Sequence, residues 1–206
     1  MNLSKLFDMQ RVLDERIIKD KGLEGKDLLP GKILALQVEL GELANEWRGF
    51  KFWSNDMRPR IFERDSCPDC AKRGFSRYRP PKEDYWCETC AGCLVIDKNP
   101  MLEEYVDCLH FILSIGLEIK ETAVAIDDDY TKDTTTESFI EMFGTVWDLM
   151  SDYENGRRWA IFDTYERMFN LFIGIGEKHL GFTWEQIKQA YLDKNAVNHQ
   201  RQEAGY

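Results

Sequence analysis

Apolar residues recur along most of the chain at intervals of three and four positions, which is the period of an amphipathic α-helix. Stretches that alternate between apolar and polar residues, as a half-buried strand does, are few. The pattern therefore predicts an all-α fold, a helical bundle of about six helices. The predicted helices cover approximately residues 2–20, 32–48, 100–120, 137–152, 157–179 and 183–198.

Residues that start helices support these limits. Pro100 suits the first turn of the third predicted helix, because its missing N–H would be unpaired there in any case. Thr135 or Thr136 is the predicted N-cap of the fourth helix. Thr183, with Gln186 three residues later, forms a capping box that opens the last helix.

The overall composition sets the class of protein. The chain has 206 residues, 43% of them hydrophobic, which suits a single domain over residues 1–206. A formal net charge of −10 speaks against nucleic acid as the main partner, because a phosphate backbone would be repelled. A small anion such as a nucleotide could still bind through metal ions. With no apolar stretch of membrane-spanning length and no secretory signal pattern, we expect a soluble cytoplasmic protein without membrane contact.

Five of the six cysteines fall close together in the sequence. They include two Cys-x-x-Cys pairs, Cys67 with Cys70 and Cys87 with Cys90, separated by 16 residues. Paired cysteines at this spacing predict a tetrahedral Zn²⁺ site, which is structural because four thiolates leave no open position for chemistry. A redox dithiol is the alternative for each pair alone, and Cys93 is a fifth thiol that could replace Cys90.

These cysteines define a predicted zinc-ribbon-like insertion over residues 64–97. It is locally basic within an acidic chain, and aromatic residues are interleaved with its charges. Such a surface could contact nucleic acid or another protein. We favour a simpler interpretation, a zinc-stapled loop that covers an active site or extends a dimer interface. The basic residues considered, which begin just before the insertion, are Arg58, Arg60, Arg64, Lys72, Arg73, Arg77, Arg79 and Lys82.

Two pairs of carboxylates stand out within the helical pattern. Glu39 and Glu42 are three residues apart, as are Glu104 and Asp107, so each pair shares one helix face. Both pairs lie among apolar residues, where an unpaired charge would cost several kcal/mol to bury. Solvated faces paired with Lys or Arg are the alternative. Two helices packed side by side would instead bring four carboxylates together, an arrangement that Mg²⁺ or Mn²⁺ between them would stabilise.

Four motifs, in order along the chain, resemble those of the dimeric dUTP diphosphatases (dUTPases), which belong to the all-α nucleoside triphosphate pyrophosphatases. The Glu-x-x-Glu of "VELGELANE" and the Glu-x-x-Asp before "CLHFILSIGLE" are similar to the family's acidic motifs. "FKFW" resembles its Lys-x-Trp segment, and "KNAVNHQRQEAGY" resembles its C-terminal motif. The insertion between "RGFKFW" and "NPMLEEYVD" departs from the family, whose connection is shorter.

The resemblance implies Mg²⁺-dependent hydrolysis of dUTP to dUMP and pyrophosphate by a homodimer. Glu39, Glu42, Glu104 and Asp107 match the family's Mg²⁺ ligands. Glu39 and Glu42 are the expected catalytic pair, and Glu39 is the one expected to take a proton from the attacking water.

The resemblance also implies substrate-binding residues at both ends of the chain. Lys194, Asn198 and Arg201 share one helix face, and two cations and an amide there can bind phosphate oxygens. The alternative is an ordinary polar C-terminal helix. Gln202 and Tyr206 are weaker candidates.

Several residues are expected around the nucleobase. Gln10 matches the family glutamine that reads the uracil edge, whereas Asp14 falls near a family asparagine and its role is open. Lys51 is expected to contact phosphate. Trp53 is expected to stack on the base or, equally, to anchor its loop. His110, one turn after the second acidic pair, is read as a core histidine rather than a metal ligand or proton-transfer group.

Two other functions are compatible with these residues. One is a pyrophosphatase for a different nucleotide, such as dCTP or one with a damaged base. The other is a zinc-module binding protein on a helical scaffold, without catalysis, in which the acidic residues could be neutralised without loss of function.

Overall fold

The computed structural model describes residues 3–81, 85–126 and 128–205, so Lys82 and Tyr206 lie outside the described residues. Within these ranges the chain forms six long α-helices, one short α-helix and one two-stranded sheet. The prediction of an all-α bundle with a small insertion is therefore confirmed. In chain order the elements are α1 Ser4–Lys21, α2 Leu29–Trp47, β1 Glu63–Ser66, α3 Pro68–Lys72, β2 Val95–Lys98, α4 Pro100–Ile119, α5 Thr135–Glu154, α6 Arg158–Gly174 and α7 Trp184–Glu203.

One predicted helix start is wrong by one residue. The N-cap of α5 is Thr134, not Thr135 or Thr136. Thr134 accepts a hydrogen bond from the Glu137 backbone N–H, and the Glu137 side chain accepts one from the Thr134 N–H. This reciprocal pair is a capping box, and it selects Thr134 because only this threonine has a glutamate three residues later. The predicted box of Thr183 and Gln186 at the start of α7 is present.

Helix α4 forms the centre of the bundle and packs against α1, α2, α6 and α7. Most of its circumference is buried, which explains why its sequence is nearly continuous in apolar residues. Leu109, Ile112 and Leu113 are fully enclosed, and each such side chain stabilises the fold by about 1.5–3 kcal/mol relative to exposure. Because α4 packs against four other helices, the backbone of its first turns is held in place within the bundle.

A π-helical turn over Ile175–His179 continues α6 and brings it against α4. A Cβ atom at Gly176 would lie 2.4 Å from the Tyr105 hydroxyl oxygen, so this position tolerates only glycine without rearrangement. Tyr105 in turn donates a hydrogen bond to the Phe172 carbonyl oxygen and stacks on the Phe172 ring. The contact fixes the N-terminal half of α4 within the bundle.

The insertion emerges between α2 and α4. Strands β1 and β2 pair antiparallel, from Glu63 opposite Lys98 to Ser66 opposite Val95. Just before β1, the backbone of Arg60 donates to the Glu46 carbonyl and accepts from the Met101 N–H. This residue therefore connects the end of α2 to the start of α4.

Among the described residues, none of the helices has both the length and the apolar character needed to cross a membrane.

Candidate active site and metal centres

The acidic residues of α2 and α4 converge where these two helices pack. One carboxylate oxygen from each of Glu39, Glu42 and Glu104 lies within 4.8 Å of the others. At that separation two full charges repel by about 3 kcal/mol at an effective dielectric constant near 20. The two helices thus create a concentration of negative charge that a divalent cation would relieve.

The pKa values of Glu104 and Glu39 reflect this crowding. Burial raises the pKa of Glu104 to about 7, and the neighbouring charges of Asp107, Glu42 and Glu39 add to the effect. Burial likewise raises the pKa of Glu39, with contributions from Asp107 and Glu42. Burial and crowding thus shift both Glu104 and Glu39 toward the protonated form, as expected for adjacent acids without a cation.

Asp107 lies beside this group but has a cationic partner. Its carboxylate accepts a hydrogen bond from the Lys194 ammonium of α7. Burial raises the pKa of Asp107, and the Lys194 contact opposes that rise. The ion pair places the positive face of α7 against the acidic site.

A cavity of about 290 Å³ opens between α1, α2, α4 and α7. Its lining brings together most of the predicted site residues, because one face of each helix contributes to the wall. The predicted residues that line it are Gln10, Glu39, Asp107, Lys194, Asn198 and Arg201. Acidic groups and the cationic face of α7 thus border the same space, as a site for a metal–phosphate group requires.

Another part of this wall is a hydrogen-bonded network around Gln10, which is 4% exposed. Gln10 Nε2 donates to Asp14 Oδ1 at 2.7 Å, and Gln10 Oε1 accepts from the Tyr191 hydroxyl at 2.9 Å. Asp14 Oδ2 accepts from the Ser114 hydroxyl at 2.5 Å, and Lys32 lies 3.4 Å from the same oxygen. The network joins α1, α2, α4 and α7.

His110 belongs to this network and is buried, as predicted for a core histidine. Its Nδ1 lies 2.7 Å from Gln10 Oε1, whereas its Nε2 has no hydrogen-bond partner among the described residues. Burial lowers the pKa of the ring to about 3, so the imidazole is neutral at physiological pH. His110 is not among the groups positioned to share a cation with the glutamates.

Two predicted site residues lie elsewhere. Lys51 and Trp53 follow α2 in the connection to the insertion and are absent from the cavity wall. The Lys51 ammonium lies 5.6 Å from the centre of the Phe50 ring, and Trp53 is 65% exposed with its ring edge-on to Phe52. Their roles toward a substrate stay predictions.

Sequence reasoning missed Lys32, Ser114 and Tyr191. A signal for two of them exists in helix periodicity. Ser114 follows His110 by four residues, and Tyr191 precedes Lys194 by three, so each extends a face already selected. Nothing comparable marks Lys32, because its contact with Asp14 joins two helices.

The four cysteines of the two Cys-x-x-Cys pairs form a separate centre in the insertion. All four sulfur atoms lie within 4.8 Å of one another, with Cys67 and Cys87 3.7 Å apart and Cys70 and Cys90 3.6 Å apart. Zn–S bonds of about 2.3 Å in a tetrahedron place sulfur atoms about 3.8 Å apart. The thiols are therefore already spaced as zinc ligands.

Two of these thiols have opposite pKa shifts, and burial raises the pKa of Cys70 to about 12. The backbone N–H of Cys90 lowers the pKa of Cys87 to about 6, which favours a thiolate there at neutral pH. All four cysteines are buried, whereas Cys93 is exposed and outside the cluster. The described structure thus assigns Cys90, not Cys93, to the group of four.

The fold and the site together define an all-α protein with clustered carboxylates beside a cavity between its helices. Comparison with protein families is more specific. The family described as dUTPase matches residues 2–62 and 85–206, and the chain therefore belongs to the dUTPase family. The match omits residues 63–84, which include β1, α3 and the first Cys-x-x-Cys pair. Comparison with curated proteins and with solved structures gives no match.

Proposed function

We propose that this protein is a Mg²⁺-dependent dUTP diphosphatase that hydrolyses dUTP to dUMP and pyrophosphate. The observation that carries the proposal is the convergence of Glu39, Glu42 and Glu104 beside the cavity that Asp107 and α7 complete. Membership of the dUTPase family supports a hydrolase that acts on a deoxynucleoside triphosphate.

The carboxylates fit Mg²⁺ in number and spacing. Mg²⁺ holds oxygen ligands at about 2.1 Å, so two ligands of one ion lie about 3–4.2 Å apart. The oxygens of Glu39, Glu42 and Glu104 are within 4.8 Å of one another, and small rotations of these flexible side chains close the difference. Asp107 would be the fourth ligand, after a shift of its contact with Lys194. Bound Mg²⁺ would supply charge neutralisation on phosphate oxygens and a more acidic water.

The acidic residues would then have different roles in the reaction. Glu39 lines the cavity and has a raised pKa, so it is placed to accept the proton of the attacking water. Glu42 on α2 and Glu104 on α4 would hold the Mg²⁺ in place between the two helices. Family resemblance favours Glu39 over Glu42 as the proton acceptor.

The cationic face of α7 would bind the phosphates. Lys194, Asn198 and Arg201 lie on successive turns and all line the cavity. An ammonium, an amide and a guanidinium all donate hydrogen bonds, which phosphate oxygens can accept. We assign phosphate oxygens as the partners of these three side chains. Gln202 is a weaker candidate for the same role.

Gln10 would read the base at the opposite side of the same cavity, beside Asp14. Lys51 and Trp53 would contribute only if the segment after α2 closes over the substrate, or if they come from a second copy of the chain.

The insertion would bind one structural Zn²⁺ through Cys67, Cys70, Cys87 and Cys90. Few apolar residues surround the cysteines, so metal ligation would be the main source of order there. Because Arg60 connects α2 to α4 just outside the module, zinc binding would also stabilise the adjoining ends of the two ligand-bearing helices.

A homodimer is part of the proposal. Leu34 and Val38 on α2 and Ile140 and Trp147 on α5 are more than half exposed, although α2 and α5 pack together. An apolar cavity of about 400 Å³ lies between the same helices. A second copy of this chain would cover this apolar patch, as exposed apolar side chains often mark protein interfaces. We retain a cytoplasmic location as a prediction from the sequence.

The test is hydrolysis of dUTP, dCTP, dTTP and dATP, each with Mg²⁺ or with EDTA, followed by ion-exchange separation of products. Conversion of dUTP alone to dUMP and pyrophosphate, stopped by EDTA, is the expected result. Cleavage centred on dCTP would keep the chemistry and change the substrate. No cleavage of any nucleotide would overturn the enzyme assignment and favour a binding role for the zinc module.

A further inference from the structure

The side chain of Gln10 is held in one orientation, and the chemistry of its neighbours shows which. Its nitrogen lies 2.7 Å from Asp14 Oδ1. A carboxylate accepts hydrogen bonds and does not donate them, so the atom facing Asp14 is the amide NH₂. The Gln10 carbonyl oxygen must then face the opposite side, toward His110 and Tyr191.

That orientation determines the tautomer of His110. The Gln10 carbonyl accepts hydrogen bonds only, so His110 Nδ1, 2.7 Å away, carries the proton. Nε2 is then the unprotonated nitrogen, which agrees with its lack of a partner and with a neutral, buried ring. The Tyr191 hydroxyl has one proton and lies 2.9 Å from the same carbonyl oxygen and 3.3 Å from the Leu6 carbonyl oxygen, so the shorter bond to Gln10 is favoured. The Tyr191 ring stacks on the imidazole, with 4.3 Å between the ring centres.

Both lone pairs of the Gln10 carbonyl are therefore occupied. A 180° flip of the amide would break its bonds to Asp14, His110 and Tyr191 together. Each such bond contributes about 0.5–1.5 kcal/mol, so the flipped state is rare. What Gln10 can still offer a ligand is its second N–H, and Asp14, on the same cavity wall, offers an acceptor.

We propose that His110 and Tyr191 are positioning residues that fix Gln10 as a hydrogen-bond donor, so that the site selects a base whose edge presents a carbonyl beside an N–H. This inference rests on the proposed function. The imide edge of uracil, and equally of thymine, has that order. Cytosine has an amino group in place of the carbonyl and an unprotonated ring nitrogen in place of the N–H. It would place a donor against Gln10 and an acceptor against Asp14.

The test is the ratio of kcat/KM for dUTP, dTTP and dCTP in Tyr191→Phe. Removal of one donor lets the amide flip more often, so the preference for dUTP over dCTP falls by about fivefold, as expected for one hydrogen bond. The ratio of kcat/KM for dUTP to that for dTTP stays constant, because uracil and thymine have the same imide edge. Tyr165→Phe is the matched control, since Tyr165 is also fully buried and donates to a backbone carbonyl, that of Ile112, away from Gln10.

A preference over dCTP that is unchanged in Tyr191→Phe, or that falls equally in Tyr165→Phe, would overturn the inference. A second readout does not depend on catalysis. Long-range ¹H–¹⁵N NMR distinguishes the tautomers of the three histidines. We expect His110 as the Nδ1–H form in the wild type, with that form reduced in Gln10→Leu. A dominant Nε2–H form would overturn the inference that Gln10 is held in one orientation. If the wild type cleaves no nucleotide, the proposed function fails. The NMR result alone then decides whether Gln10 is held in one orientation.

Discussion

The Lys194 ammonium of α7 and the Asp107 carboxylate of α4 form an ion pair at the rim of the acidic site. Both side chains are largely buried, and 87 residues separate them in the chain. The pair links the positive face of α7 to the negative face of α4. A metal–triphosphate carries charges of both signs. Its cation could therefore bind Asp107 and its phosphates could bind Lys194 in place of this ion pair.

Neutralising the ligands should remove activity without unfolding the protein. In Glu42→Gln and in Asp107→Asn, loss of a carboxylate weakens Mg²⁺ binding and the alignment of the attacking water. We expect kcat for dUTP to fall by at least about 10²-fold. Steady-state kinetics with circular dichroism of the same samples checks both parts. Wild-type turnover in both variants would exclude this acidic group as the catalytic centre.

The α7 face should act mainly on binding. Arg201→Met removes charged hydrogen bonds to phosphate, each contributing about 1.5–3 kcal/mol, so KM should rise about 10- to 150-fold for one such bond. Lys194→Met should do the same and also leave Asp107 without its partner. Competitive inhibition by pyrophosphate provides an independent measure of phosphate affinity. Unchanged KM and inhibition constants in both variants would contradict the assignment.

Stability should depend on pH through His110. The pKa of its ring is near the ordinary value of 6.5 in the unfolded chain and about 3 in the fold, because the ring is buried and Lys194 is nearby. The stabilising contribution of the neutral ring is thus complete above pH 6.5 and is lost progressively as pH falls toward 3.

Urea denaturation between pH 7 and pH 4 measures this effect as the slope of unfolding free energy against pH. His110→Phe should flatten that slope, whatever it does to the stability at pH 7. An unchanged slope in the variant would show that His110 does not titrate in this way.

Zinc content distinguishes Cys87 from Cys93. Metal analysis should give one zinc per wild-type chain. Cys87→Ser should lose most of that zinc, and backbone hydrogen exchange across the 63–98 segment should accelerate. Cys93→Ser is the control, because Cys93 is exposed and outside the cluster, so zinc should be retained. Equal zinc loss in both variants would contradict the four-cysteine site.

The apolar patch of α2 and α5 should determine the oligomeric state. Trp147→Glu places a charge on that patch and should convert a dimer to a monomer in light scattering. Trp159→Glu is the matched control, because Trp159 on α6 is also exposed but outside the patch. A wild-type monomer, or dimers in both variants, would rule out this surface as the interface.

The sequence predicted the features that depend on local spacing. Helical periodicity located all six long helices, and the Cys-x-x-Cys pairs located the insertion, since both patterns are set by residues close in the chain. The cap of α5 was displaced by one residue because three threonines in succession offer nearly equal caps. Only the distance to Glu137 separates them.

The Gln10 network was not predictable in the same way. Its members come from α1, α2, α4 and α7, and 100 residues separate Gln10 from His110. Pairings of this kind depend on how helices pack, which periodicity does not specify. The resemblance to dUTPases selected Gln10, but not the Tyr191 and His110 contacts that orient it.

Metal binding at the acidic group is the most direct measurement of the central claim. Mn²⁺ can replace Mg²⁺ at oxygen sites and is followed by electron paramagnetic resonance. We predict saturable binding of at least one Mn²⁺ per chain, tighter with a nonhydrolysable dUTP analogue and much weaker in Glu42→Gln. If Mn²⁺ shows no saturable binding with or without the analogue, the acidic residues do not form a metal centre and the proposed mechanism is wrong.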